Sequence, residues 1–431
     1  MRRLAYVTYT LALRLLLLGY VPVAVWRRLA RGVPIHLRER LGFYRDVPDP
    51  PRTAWVHAVS VGEMLAAVPI VEELCRLHPE LPILVTTVTE TGAGVARQRL
   101  ARLAIHRYFP LDLPGAVRRA IAHNRPQLFV VLETELWPNL FRALAARGVP
   151  VMIANGRISD RSYRRYRLAR AFMRGLLETV AVFGMRSDED ARRIIGLGAA
   201  PERVFVTGNV KNDAPADDGA APALWRRLLG LAPGAPVWIA GSTHRGEEPI
   251  VLDVHARLRE RHPGLVLIVA PRHPERVFEV ERLVRERGLP VVRRSELPKG
   301  RTDGATIILD TVGELAQLYQ LADVVFVGGS LVPSGGHNMV EVALRRKPAL
   351  FGPHTTNFRE SAELLAGSGG GLVVRDAAEL ERELARLLGD PALRATMGDA
   401  GLAAVAARQG AVRETLALID RFLVQSGGAG E

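Results

Sequence analysis

The chain has 431 residues, 48% apolar and 24% charged, which is enough for two globular domains with separate cores and excludes a disordered or low-complexity protein. Its single cysteine, Cys75, excludes a disulfide framework and a cysteine-based zinc site and fits a reducing cytosol, with the thiol expected in the core. The net charge of +13 is uneven, since residues 1–52 hold ten arginines against Glu39, Asp46 and Asp49, and no nucleic-acid-binding module accompanies this excess.

Leu4 to Val25 is apolar over roughly the twenty residues needed to cross a bilayer. Arg2 and Arg3 precede it and Arg27, Arg28 and Arg31 follow it, so residues 1–30 are expected to form a membrane anchor helix. Arg14 falls near its middle, where a guanidinium is costly, and both spanning the bilayer and lying in its interface stay open. No small-x-small cleavage pattern precedes Trp26. The heavier arginine load after the segment predicts that the body lies on the cytoplasmic side.

Short β-branched runs then alternate with helical patterns at Ala54–Val59, Ile83–Val88, Leu128–Leu132, Val149–Ala154, Val180–Phe183 and Val204–Thr207, predicting a first Rossmann-like domain over 31–212. APADDGAAPA, within a segment 213–235, has no hydrophobic period and is expected to be a linker. A second set at Val237–Ala240, Leu265–Val269, Thr306–Leu309, Val324–Val327, Ala349–Phe351 and Leu372–Val374 predicts a like domain over 236–405. A last amphipathic helix within 406–431 is expected to pack back on the first domain. The fold class is α/β: two doubly wound sheets facing a cleft, with ligands at the strand C-terminal ends.

Candidate chemistry follows those ends. Ser60, Gly62 and Glu63 come after the first run; Glu63 is either a general base, kept ionised by the helix N-terminus, or the acid of a Ser-x-x-Glu capping box. Glu133 and Glu135 close the run Leu128–Leu132, and a buried strand seldom ends in two acids without partners. Lys211 is a candidate for meeting a leaving phosphate, or a solvated lysine. In the second domain GSTHRGEE and APRHPER offer Ser242, Thr243, Arg272 and His273 to an anionic nucleotide. ADVVFVGGSLVPSGGHNMVE (322–341) runs from a buried strand into Gly335 and Gly336 and a helix expected to begin near His337, an anion site with Glu341 one turn on for ribose hydroxyls. Arg157, Arg161 and further arginines up to Arg174 crowd a helical stretch, a solvated basic face or a docking place for an acceptor that carries phosphate. The histidines are scattered, and Asp188-Glu189-Asp190 reads as an acidic first helical turn capped by Ser187, so neither a metal nor a cofactor is expected.

Taken in order, HAVSVGE, TVTETG, ETELWPN, NGRIS, VTGNVKND, GSTHRGEE, PRHPER, DTVGELAQLY, FVGGS, GGHNMVE and GPHTTNF make nearly the whole chain resemble the 3-deoxy-D-manno-octulosonic acid (Kdo) transferases. These are membrane-attached enzymes that transfer Kdo from CMP-Kdo to lipid A precursor. The resemblance implies a GT-B fold, with the acceptor on the first domain and the nucleotide sugar on the second. It implies Glu63 as the catalytic base, Glu133 and Lys211 in support of the transition state, and CMP against Pro271, Arg272, Val312, Gly313, Glu314, Asn338, Met339, Val340 and Glu341. The reaction expected is an inverting, metal-independent displacement onto lipid IVA, since the leaving phosphate gains only one negative charge, at the bacterial inner membrane in lipopolysaccharide synthesis. Two alternatives are a UDP-sugar 2-epimerase-like enzyme of the same layout and a non-catalytic, membrane-tethered nucleotide-binding protein.

Overall fold

The computed structural model describes residues 2–31, 35–44, 52–213, 222–297 and 306–427. The chain forms two units, Met1–Asp213 with Gln409–Glu431, and Ala214–Arg408. Of the expected linker, residues 214–221 lie outside the described ones, and Pro222–Leu228 is a helix that buries Trp225 in the second unit's core.

In the first unit seven strands, β1 (Thr53–His57), β2 (Ile83–Thr87), β3 (Ile105–Tyr108), β4 (Pro126–Leu132), β5 (Val151–Gly156), β6 (Val182–Met185) and β7 (Val204–Val206), form one parallel sheet in the order β3-β2-β1-β4-β5-β6-β7. The interior runs are mostly apolar because both faces are covered. Trp55, Leu84, Phe129 and Val131 enter the core on one face, and Ala54, Val56, Leu128 and Val130 the core on the other. The chain reverses its direction of travel between β1 and β4, so their C-terminal ends flank the crevice where sheets of this kind take ligands.

The second unit repeats the plan. Its strands β8 (Val237–Thr243), β9 (Val266–Pro271), β10 (Val291–Arg293), β11 (Thr306–Ile308), β12 (Val324–Val327), β13 (Ala349–Phe351) and β14 (Gly371–Val373) are parallel in the order β10-β11-β9-β8-β12-β13-β14. The reversal falls between β8 and β12. Two segments without an expected strand, IHRY at β3 and VVR at β10, supply edge strands. The helix Ala411–Gly427 belongs to the first unit, where Leu416, Leu418 and Ile419 join the core around Val56 and Met64. Asp213 holds its start, accepting from the N–H of Gly410 (2.9 Å) and of Val412 (2.6 Å). Cys75 is half-buried and not in the core, its thiol toward the Leu103 carbonyl at 3.4 Å.

The N-terminal helix Arg2–Arg31 docks on the first unit through its first half. Tyr6 and Thr10 are buried, Tyr6 meets Phe172 edge-on at 5.4 Å, and Val7, Leu11, Leu15, Leu16 and Leu18 stay exposed on the remaining surface. No described helix is long and apolar enough to cross a membrane, so of the two alternatives left open for this segment the spanning one finds no support. The docked face is polar as well as aromatic: the Tyr9 hydroxyl donates to Asp112 (3.0 Å), and Asn139 donates to Thr10 (3.1 Å). Asp112 also accepts from the N–H groups of Asn139 (3.0 Å) and Leu140 (2.8 Å), and burial still pushes its carboxyl up to about 6. Asp112→Ala strands both amides away from water, so chemical denaturation should show a loss of about 2–4 kcal/mol. A loss below about 0.5 kcal/mol would mean that water replaces the carboxylate at no cost.

Candidate active site

Three side chains with positive φ mark the ligand ends of the sheets: Glu133 (58°) after β4, Asn155 (53°) in β5 and Ser242 (56°) in β8. Left-handed backbone at a non-glycine residue is uncommon and persists where surrounding structure enforces it, often at functional sites.

In the first unit β1 delivers Glu63 into the first turn of the helix Val61–Leu77, with Ser60 as N-cap. The carboxylate accepts from the Val59 N–H at 2.8 Å and from the Ser60 hydroxyl at 3.0 Å, so it turns back past the capping-box donor, the Ser60 N–H. It is 8% exposed, and burial pushes its pKa up to about 7. The Val59 amide and Ser60 pull the other way, while the negative charges of Glu133 and Glu135 add to the rise. The helix N-terminus therefore does not keep this acid fully ionised, contrary to expectation: burial outweighs it. A Cβ at Gly62 would meet open space, which leaves the surface beside Glu63 clear.

Glu133 has the opposite surroundings. Burial pushes it upward too, but Arg186, Lys211 and Arg157 outweigh that and hold its carboxyl below the ordinary range. Arg186, 7% exposed at the end of β6, pairs with Glu133 directly and donates through Nε to the Asn155 carbonyl at 3.1 Å. The Asn155 side chain in turn accepts the Val210 N–H at 3.2 Å, which seats the short turn Val210–Asp213 and its Lys211 beside the acids. Glu135 is raised by burial and by the charge of Glu133. Arg157 is half-buried next to this group, tied through its backbone to the Thr134 hydroxyl (3.0 Å), while Arg161 is exposed on the helix Asp160–Leu168. The acidic triplet Asp188–Asp190 starts a helix capped by Ser187, and no described group of side chains could hold a metal ion.

In the second unit Ser242, Pro271 and the turn around Gly335 and Gly336 lie at the ends of β8 and β9 and beyond β12. The helix expected near His337 starts later, at Val340, and runs only to Leu344. Gly335 (φ 93°) and Gly336 (φ 74°) hold the chain in a turn first, and a Cβ on Gly335 would lie 2.2 Å from Asn357. His337 thus sits in coil, its ring stacked on His244 with Nε2 to Nε2 at 2.8 Å, and burial pushes its pKa down to about 4. Asn338 donates to Glu341 at 2.9 Å and fixes that carboxylate. Met339 and Val340 are buried in the core, so a ligand meets their backbone only. Thr243 is fully buried with its hydroxyl unpaired, whereas Arg272 and His273 are exposed. Val312 and Gly313 are exposed as well, and Glu314 is held by Arg294 at 3.1 Å.

A family model described as 3-deoxy-D-manno-octulosonic-acid transferase (kdotransferase) matches residues 35–214. A 3-deoxy-D-manno-octulosonic acid transferase of Haemophilus influenzae is 37% identical over 397 residues, 90% of this chain and 91% of that protein. The chain belongs to the Kdo transferase family. It is a glycosyltransferase. A family member from Bordetella pertussis is 34% identical over 436 residues, covering 96% of this chain and 99% of its own. Among solved structures, UDP-GlcNAc 2-epimerase of Neisseria meningitidis bound to UDP-GlcNAc aligns with a TM-score of 0.60 at 13% identity, over 87% of this chain and 100% of that one. That likeness is one of fold, the GT-B pairing of two Rossmann-like units.

The sequence marks Glu63, Glu133 and Lys211 but not Arg186 and Asn155. An arginine directly after a buried strand, in MRSDED, was the available signal. Replacing Arg186 by Met should raise the Glu133 carboxyl above the usual carboxylate range, as read by a 13C NMR titration. A midpoint that stays low would show that Lys211 and Arg157 suffice without it.

Proposed function

We propose that this protein transfers Kdo from CMP-Kdo to a lipid A precursor in lipopolysaccharide synthesis. The observation that carries the reading is the Glu63 carboxyl: nearly buried, raised to about 7, and set beside a second acid that cations keep ionised. A base poised near the working pH is what proton removal from a sugar hydroxyl needs.

Glu63 takes the proton of a glucosamine hydroxyl as that oxygen bonds to the anomeric carbon of Kdo. The bond from that carbon to the CMP phosphate oxygen breaks in the same step, with inversion, and CMP leaves with the electron pair. The phosphate gains one negative charge, which Arg272 offsets without a divalent ion, while in the first unit Glu133 keeps Lys211 in place. The first unit serves the acceptor, with Ser60, Gly62, Arg157 and Arg161 nearest its sugar and phosphates. The second holds CMP-Kdo through Ser242, Pro271, Arg272, His273, the backbone from Gly335 to Val340, and Glu341 on the ribose. The exposed apolar face of the N-terminal helix rests on the cytoplasmic leaflet of the inner membrane.

Because Glu63 works only when ionised, log kcat/KM should fall by about one per pH unit below pH 7 and level off above it. Glu63→Gln should remove that limb and cost roughly two to four orders of magnitude in rate. A variant that keeps the wild-type rate would end the assignment. Product from CMP-Kdo and tetraacylated lipid A precursor, weighed by mass spectrometry, separates this activity from epimerisation of UDP-N-acetylglucosamine, and CMP release separates it from binding alone. After dialysis against EDTA the rate should be unchanged; a loss restored by magnesium or manganese would contradict the cation assignment.

A further inference from the structure

We propose that Glu247 is a positioning residue for donor binding: its carboxylate ties together the ends of β8 and β12 and so sets the shape of the nucleotide loops. The inference rests on the reading of the second unit as the CMP-Kdo site and adds the group that holds that site open.

Glu247 opens the helix Glu247–Arg261 and is 0% exposed. It accepts four backbone amides, from His244 at 2.9 Å, Gly329 at 2.7 Å, Ser330 at 3.0 Å and Leu331 at 2.9 Å. An ionised carboxylate has about four lone-pair sites, so its whole acceptor capacity is used here. Three successive N–H groups turned on one point form a concavity that binds anions, and in this fold the anion is the protein's own side chain.

The consequences reach the donor residues. Gly329 accepts the Gly336 N–H at 2.7 Å, which places the turn that carries His337 against His244. The Ser330 hydroxyl accepts the Gly352 N–H at 2.8 Å and the Ser330 carbonyl the His354 N–H at 2.9 Å, so the end of β13 joins the same knot. Backbones approach too closely for side chains there: a Cβ on Gly328 would lie 2.6 Å from the Ser242 carbonyl oxygen, and one on Gly352 2.2 Å from that of Ser330. Glu248, the next residue and equally buried, takes no loop amide; it pairs with Arg276 at 2.7 Å. The two neighbours thus separate a role in the loops from a role in stability alone.

Calorimetry with CMP on the full chain tests this, comparing wild type with E247Q, E248Q and S330A. E247Q turns two donors toward N–H groups, and it should lose roughly ten- to hundredfold in CMP affinity and raise KM for CMP-Kdo while keeping the pH limb that Glu63 sets. S330A should lose about three- to tenfold. E248Q should lower Tm but bind CMP within about twofold of wild type. Folded E247Q with wild-type affinity, or equal losses in E247Q and E248Q, would overturn the proposal. If E247Q does not fold, unchanged affinity in S330A overturns it instead. Wild type that binds no CMP would sink the donor-site reading itself, a distinct outcome.

Discussion

Two carboxylates at neighbouring strand ends repel each other, and the first unit settles that repulsion by giving them different environments. Glu63 is buried, accepts from an amide and a hydroxyl, and rises to about 7. Glu133 is close enough to raise Glu63 further, yet three cations keep its own charge in place. Had both acids the same surroundings, either both would titrate as ordinary carboxylates, or both would protonate and the cations would lose their counter-charge. The split depends on Arg186, and Arg186 is held by the Asn155 carbonyl, so the chemistry leans on a backbone position with positive φ.

The same architectural device serves both units. A parallel sheet whose chain order reverses leaves a gap between two strand ends, and the loops there are free of crossing connections. In the first unit the gap carries acids whose proton affinity is tuned; in the second it carries turns whose amides are gathered by a buried acid. Carboxylates do the organising in each case, but at one they remain available and at the other all their acceptor sites are used.

The interior strands were legible in the sequence because burial on both faces demands unbroken β-branched runs: Val324–Val327 and Ala349–Phe351 appear with the bounds their residues suggest. β3 was not, since an edge strand tolerates His106 and Arg107, which break the run. Glu63, Glu133 and Lys211 could be singled out by position after a strand and by family resemblance. What could not be read was their pairing, because Asn155 lies in β5, which adjoins β4, and Arg186 follows β6, which adjoins β5, an order that exists only once the sheet is assembled. The helix expected at His337 failed for a local reason: two successive glycines with positive φ prolong the turn to Val340. Of the N-terminal segment the apolar length was plain, but the polar residues that dock it, Tyr9 and Thr10, gain their meaning from Asp112 and Asn139 far along the chain.

The most direct measurement is a site-resolved carboxyl titration of Glu63 in the wild-type chain and in Glu133→Gln. The wild-type midpoint should lie near 7, and it should fall when the neighbouring charge is removed yet stay above the ordinary carboxylate range, since burial is the larger cause. An ordinary wild-type midpoint, or one that does not respond to Glu133, would contradict this.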